Sequence, residues 1–302
     1  MEFNDKSLSL CVISAKISCG VAKVAEYIKQ IEIDSLWNGR KHILWNLRKD
    51  VNILSGVNGV GKSTILNSMA KVLSRKSQPG AYQNGDFRGV RLTFEPADST
   101  MAFFDIVSSF DGALLSDNVI GKLADGRVRS ELDWRLYELQ RRYLNFQVNL
   151  GNRMIALLSS SDPQAKEAAM DVSKTKTRFQ DILDSLFKDT AKKIDRLSNE
   201  LSFIQYGEHL TPYQLSSGEK QLLVILLTVL LEEEKPYVLL MDEPEISLHV
   251  EWQQKLVDNI RMLNPHAQII LTTHSPAVIM NGWLDAVTDV ADIVVDDGTE
   301  TV

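Results

Sequence analysis

The sequence predicts an α/β fold: a mixed, largely parallel sheet flanked by helices, with a helical lobe inserted over 131–205 into one domain spanning 1–302. Three observations predict it. An apolar stretch, Val51 to Leu54, runs into a glycine-rich turn and then into a helical segment continuing as Ile65 to Met69. The apolar runs Tyr237 to Met241 and Gln268 to Thr273 are short, continuous and separated by an amphipathic helix, the pattern of parallel strands buried on both faces. Between these two regions the apolar period changes to that of long helices.

The composition sets the frame. The 302 residues are 44% hydrophobic and 24% charged, which describes an ordinary globular protein with ample core. A net charge of −7 argues against coating nucleic acid by bulk charge, although a local basic face would survive it. Cys11 and Cys19 lack metal-ligand spacing and give no disulfide framework. The longest apolar run, Leu222 to Leu231, is interrupted by Thr228 and is too short to cross a bilayer. The first residues lack the order of charge, apolar run and small residues that marks a signal peptide. A cytoplasmic protein with no membrane partner is expected.

In chain order, Ile13 to Ile17, Ile28 to Ile33 and Val51 to Leu54 read as strands, with Trp37 to Arg40 as a turn. Ser77 to Gly89 is rich in Ser, Gly, Asn and Gln and reads as a surface loop. Val90 to Glu95 and Met101 to Ser108 read as a strand pair about Pro96 to Ser99. From Glu131, Leu132, Leu136, Leu139, Tyr143, Phe146, Leu150, Met154 and Leu157 recur every three or four residues along one helix face. Ser159 to Pro163 breaks this helix. A second helical pattern follows, with Phe179, Ile182, Leu183, Leu186, Phe187, Ile194, Leu197, Leu201 and Ile204 on one side. Twelve basic and eleven acidic residues between Glu131 and Gln205 nearly cancel, so the lobe reads first as a structural element and second as a docking arm. Glu251 to Leu263 is the amphipathic helix between the two buried strands. Asp285 to Glu300 carries six acidic residues and no basic one, and includes a short strand at Ile293 to Val295.

The chemistry starts at the first glycine turn. Gly56 to Ser63 fits the phosphate-binding pattern G-x-x-x-x-G-K-[ST] in its strand–loop–helix setting. Around Asn58, the glycines Gly59 and Gly61 permit left-handed torsions, which bring backbone N–H groups close to phosphate oxygens. Lys62 supplies a point charge, the Ser63 hydroxyl can ligate Mg²⁺, and Thr64 begins the helix whose positive end faces the anion. Leu240-Met241-Asp242-Glu243-Pro244 is a strand ending in two carboxylates. Asp242 can hold the Mg²⁺ through a coordinated water, and Glu243 can polarise the water that attacks the γ-phosphate. Ser216, ahead of the apolar helix Leu222 to Leu231, is a natural N-cap.

Leu215-Ser216-Ser217-Gly218-Glu219, then Asp242-Glu243, then Thr272-Thr273-His274-Ser275-Pro276, in that order after the phosphate loop, resemble the ABC-type ATPases. The resemblance implies a P-loop NTPase with an ABC-type head. Leu215 to Glu219 matches the signature motif LSGGQ, Asp242 and Glu243 match the Walker B pair, His274 matches the switch histidine, and Glu245 to His249 matches the loop after Walker B. The finer wording is similar to the AAA-family ATPases of the OLD, RecF and SMC branch, many of which serve bacterial antiviral defence. The match spans roughly residues 40–70 and 210–280. The glutamine that these ATPases carry ahead of the helical lobe has no clear counterpart, since Gln78 and Gln83 lie in a loop-like segment.

The resemblance implies ATP with Mg²⁺ at a head-to-head dimer, or a higher even oligomer. Asn58, Gly59, Gly61, Lys62, Ser63, Thr64, Asp242, Glu243 and His274 of one head would face Ser216, Ser217 and Gly218 of the other. It also implies a separate effector, a nuclease or toxin, because only 28 residues follow His274. Two alternatives remain: a DNA-repair or chromosome-type ATPase, which keeps nucleic acid open as a partner, and a transporter subunit. The short lobe weakens the first, and the motif wording weakens the second.

Overall fold

The computed structural model describes residues 23–36, 41–74, 86–87, 89–99, 101–107, 128–161 and 164–295. The expected strand at Ile13 to Ile17, both cysteines, the turn at Trp37 to Arg40, most of the loop at Ser77 to Gly89, and the acidic residues after Val295 lie outside them.

Along the chain the elements are β1 (Tyr27–Leu36), β2 (Lys41–Asn46), β3 (Val51–Ser55), α1 (Lys62–Leu73), β4 (Asp86–Phe87), β5 (Val90–Glu95) and β6 (Phe104–Val107). The helices α2 (Glu131–Leu158) and α3 (Ala165–Leu186) follow, then β7 (Lys192–Ile194), β8 (Phe203–Gln205) and β9 (Glu208–Leu210). The last part holds α4 (Ser217–Leu230), β10 (Tyr237–Asp242), α5 (Val250–Leu263), β11 (Ala267–Thr272), α6 (Pro276–Ile279), β12 (Val287–Asp289) and β13 (Val294–Val295).

The parallel sheet is ordered β12-β3-β11-β10-β6, and all its pairings are parallel. Both of its faces are covered, which explains its uninterrupted apolar runs. Leu239, Met241, Ile269 and Leu271 pack with α2 to α5 in one apolar cluster. Val238, Leu240 and Ile270 pack on the other face with α1 and the second sheet. That second sheet is antiparallel, β13-β2-β1-β5-β4. The fully buried Gln268 joins the two sheets: its Nε2 donates to the carbonyls of Ile28 (2.8 Å) and Arg48 (2.8 Å), and its Oε1 accepts from Ile28 N–H (2.8 Å). A fully bonded carboxamide satisfies backbone groups at a sheet junction where no ladder reaches them.

Four local expectations need correction. The second helical run ends at Leu186; Ile194 and Ile204 lie on a three-stranded sheet, β7-β8-β9, with Leu197 and Leu201 in its connection. These strands are three residues long, too short to show a period of two, so their apolar spacing mimics a helix. The strands read as a pair at Val90 to Glu95 and Met101 to Ser108 join different sheets, β5 to β1 and β6 to β10. Within the segment read as a loop, Asp86–Phe87 is a short strand on β5. Finally, β2 stands between the first strands and β3 and pairs with β1.

Candidate functional site

The register of the parallel sheet assembles the site. Leu54 of β3, Thr272 of β11 and Asp242 of β10 stand side by side at the carboxyl ends of adjacent strands. Ligand sites of open α/β sheets form at this edge.

From β3 the chain turns through Gly56 (φ 144°), Gly59 (φ 80°) and Gly61 (φ 104°) into α1. Gly61 is left-handed and opens the helix, so a side chain there would carry strain. Asn58, Gly59 and Thr64 are exposed. Lys62 is 5% exposed, and its Nζ donates to the carbonyls of Gly56 (3.0 Å) and Val57 (3.3 Å). Among the described residues no acidic side chain pairs with it. A buried ammonium resting on neutral carbonyls is a cation held ready for an anion. Ser63 Oγ donates to Asp242 Oδ1 (3.0 Å), which also accepts from Thr272 Oγ1 (2.5 Å). This brings together a hydroxyl and a carboxylate, the oxygen donors that Mg²⁺ takes beside phosphates.

Glu243 follows with a left-handed φ of 45°. Its N–H donates to Thr272 Oγ1 (3.0 Å) and to the Thr272 carbonyl (3.2 Å), which turns its side chain away from the strand line. His274 Nε2 lies 3.5 Å from Glu243 Oε1, and both are partly open to solvent. The sheet thus gathers Lys62, Ser63, Asp242, Glu243 and His274 at one edge.

The signature segment stands at the start of α4. Ser216 caps the helix: its Oγ accepts from Glu219 N–H (3.4 Å) and donates to Glu219 Oε2 (2.9 Å), which also accepts from Ser216 N–H (2.9 Å). Ser216 and Ser217 are exposed, while Gly218 is buried against the loop after Glu243. Glu219 replaces the glutamine of the usual motif, and its negative charge is matched by Lys192 of β7 at 2.8 Å. Burial pushes the Glu219 carboxyl up, but Lys192 and Ser216 outweigh it and hold the group below its ordinary value. Lys220 reaches Asp133 at the start of α2 (2.8 Å). The signature is therefore braced by both parts of the 131–205 region.

Three site neighbours escaped the sequence reading. Thr272 donates to the Asp242 carboxylate and accepts from the Glu243 backbone N–H. Glu245, named only as part of a loop motif, receives hydrogen bonds from Thr273 Oγ1 and from the N–H groups of His274 (3.0 Å) and Ser275 (3.3 Å). Gln253 of α5 accepts from Ser275 Oγ (2.6 Å) and donates to the Leu248 carbonyl (2.8 Å). The bonds of Thr272 to Asp242, Thr273 to Glu245 and Ser275 to Gln253 join residues about 20 to 30 positions apart, which no local pattern reveals.

Residues 96–281 match the family described as "AAA domain, putative AbiEii toxin, Type IV TA system". The chain belongs to this AAA family. The matched span holds the signature, the acidic strand and His274 but begins after Lys62, so the phosphate loop rests on its own motif and geometry. The chain is similar to the Septu protein PtuA of Bacillus thuringiensis, 24% identical over 303 residues that cover 83% of this chain and 72% of that one. It is 31% identical over 119 residues to the Retron Vc95 probable ATPase of Vibrio cholerae serotype O1 biovar El Tor, covering 34% of this chain and 23% of the relative. Among solved structures, an SMC head bound to the C-winged helix domain of ScpA aligns over 84% of this chain and 91% of that one, at 15% identity and a TM-score of 0.47. Among the described residues, no helix is long and apolar enough to cross a membrane.

Proposed function

We propose that this AAA-family chain binds ATP with Mg²⁺ and hydrolyses it between two heads, and that the cycle switches a separate effector in antiviral defence. The observation that carries the reading is buried Lys62, its ammonium on two loop carbonyls, beside the Ser63–Asp242 pair and the Glu243–His274 pair. The Septu and retron relatives support the defence setting, in which the chain would act in the cytoplasm on a nuclease or toxin effector.

The residues fit the nucleotide and its metal. Lys62 would neutralise phosphate charge, the loop N–H groups and the start of α1 would hold the phosphate oxygens, and Ser63 and Asp242 would hold the Mg²⁺. When bound, the metal supplies charge neutralisation on the phosphates. Glu243 then takes a proton from the attacking water at its carboxylate, and His274 fixes that carboxylate from 3.5 Å. The exposed Ser216 and Ser217, and the exposed apolar side chains of Val57 (75%) on the phosphate loop and Val250 (55%) at the start of α5, support closure against a second head. The 131–205 region, braced to the signature through Glu219 and Lys220, is the lobe such closure would carry with it.

Mixing two variants tests the reading. Ser217→Arg places a charge on the exposed signature without touching the mutated chain's phosphate loop, and Lys62→Ala removes the cation that would neutralise the phosphates. Each homodimer should be inactive, whereas the mixed dimer keeps one intact Lys62 facing one intact signature and should regain turnover. Folded Ser217→Arg protein hydrolysing ATP at the parent rate would remove the two-headed mechanism.

A further inference from the structure

Behind the expected catalytic groups lies a carboxylate to which no role has been given. Glu245 is 8% exposed. One of its oxygens, Oε1, accepts three hydrogen bonds: from Thr273 Oγ1, from His274 N–H at 3.0 Å and from Ser275 N–H at 3.3 Å. The other, Oε2, is buried and has no hydrogen-bond partner among the described residues. An unpaired buried oxygen costs stability, so the group is not explained by stability alone. What it does is join two segments. Its own segment leaves β10 through Glu243 at positive φ and is held back by Ile246 N–H donating to the Glu243 carbonyl (3.2 Å). The other segment leaves β11 at Thr272 and carries His274. The two backbone bonds are of ordinary length, and a charged acceptor strengthens each relative to a neutral one. Gln253 closes the ring through Ser275 and Leu248.

We propose that Glu245 is a positioning residue for hydrolysis, fastening 273–275 to the loop after Glu243 and so setting the His274 imidazole against the Glu243 carboxylate. The inference rests on the hydrolase reading above and adds a residue to it. The His274 side chain is 37% exposed, and its polar contact among the described residues is with Glu243 at 3.5 Å. The ring leaves from a backbone whose His274 and Ser275 N–H groups are held by Glu245. Removing the acceptor frees the His274 N–H and lets the ring drift from Glu243. A displacement of about 1 Å near reacting groups costs on the order of 100-fold in rate.

The test uses the full chain as the parent and as Glu245→Ala, Glu245→Gln, His274→Ala and the Glu245→Ala/His274→Ala double variant. Three quantities are read: hydrogen exchange of the His274 amide, the dissociation constant for ATP, and kcat. Glu245→Ala should speed exchange of that amide and lower kcat by roughly 10- to 100-fold. Its dissociation constant should stay within about two-fold of the parent, because Glu245 touches no phosphate-binding group. The double variant should be no slower than His274→Ala, since groups acting through one another are not additive. Glu245→Gln keeps one carbonyl oxygen as acceptor and should lie between the parent and Glu245→Ala. If Glu245→Ala does not fold, Glu245→Gln combined with His274→Ala gives the same non-additivity test. An unchanged His274 exchange rate, or losses in kcat that multiply, would overturn the inference. A parent that binds ATP without turning it over would remove the hydrolase reading and this inference with it, and the parent's own rate tells that failure apart.

Discussion

Replacing Gly218 by alanine tests how the signature is seated. A Cβ built there would lie 2.3 Å from the Ser247 carbonyl oxygen and 3.3 Å from the Ser247 carbonyl carbon, both backbone atoms. Ordinary contact between carbon and oxygen needs about 3.4 Å, so roughly 1 Å of backbone movement is required in a packed interior. No flexible side chain can give way instead. Overpacking of this kind costs about 1–3 kcal/mol, which for a domain of this size lowers the melting temperature by roughly 2–4 °C per kcal/mol. Ser247 is itself left-handed (φ 68°), so Ser247→Gly should relieve strain there and let the loop retreat. Three melts decide the matter: Gly218→Ala should melt several degrees below the parent, and Gly218→Ala/Ser247→Gly should recover part of the loss. ATP turnover of Gly218→Ala should fall further than its stability, because α4 presents Ser216 and Ser217 and would be pushed out of line. A Gly218→Ala protein as stable and active as the parent would refute the claim that α4 is seated on the loop after Glu243.

Glu243→Gln should abolish ATP turnover while leaving ATP binding within a few-fold, because the side chain keeps its shape and loses the proton-accepting charge; filter binding beside a phosphate-release assay checks both. Just after α4, burial pushes the Glu232 carboxyl up to about 7 against the opposing pull of Arg142. A carboxyl raised in the folded state favours folding below its unfolded value near 4.5 and loses that contribution as pH rises through about 7. Glu232→Gln should therefore flatten the fall in melting temperature between pH 5 and 8; a parent curve that rises over that range would contradict the assignment.

How far the sequence could be read depended on whether a residue's role was local. Lys62, Ser63 and the glycines of the phosphate loop lie within one turn, and the loop's backbone requirement shows directly in the letters. The buried strands β10 and β11 were legible because two covered faces leave no polar alternation. The β8–β9 hairpin was missed although its signal was present: Tyr206 (φ 52°) and Gly207 (φ 87°) form the two-residue turn with both torsions positive that suits a hairpin. The regular apolar spacing from Phe179 onward masked it. Gln268 read as one more buried strand residue, because its three partners at Ile28 and Arg48 are more than 200 residues away.

The loop between β10 and α5 shows why motif letters understated the site. Within 243–249, Glu243 faces His274, Glu245 binds the backbone that carries His274, and the Ser247 carbonyl abuts Gly218. Two left-handed non-glycine residues, Glu243 and Ser247, bend this short segment so that it meets β11 on one side and α4 on the other. In the proposed two-headed arrangement, His274 serves the nucleotide of its own head and the signature at Gly218 serves that of its partner. A segment that touches both would carry a shift at one toward the other. Coupling between two sites requires a connected element whose arrangement both sites bias, and this loop supplies the physical connection within one chain.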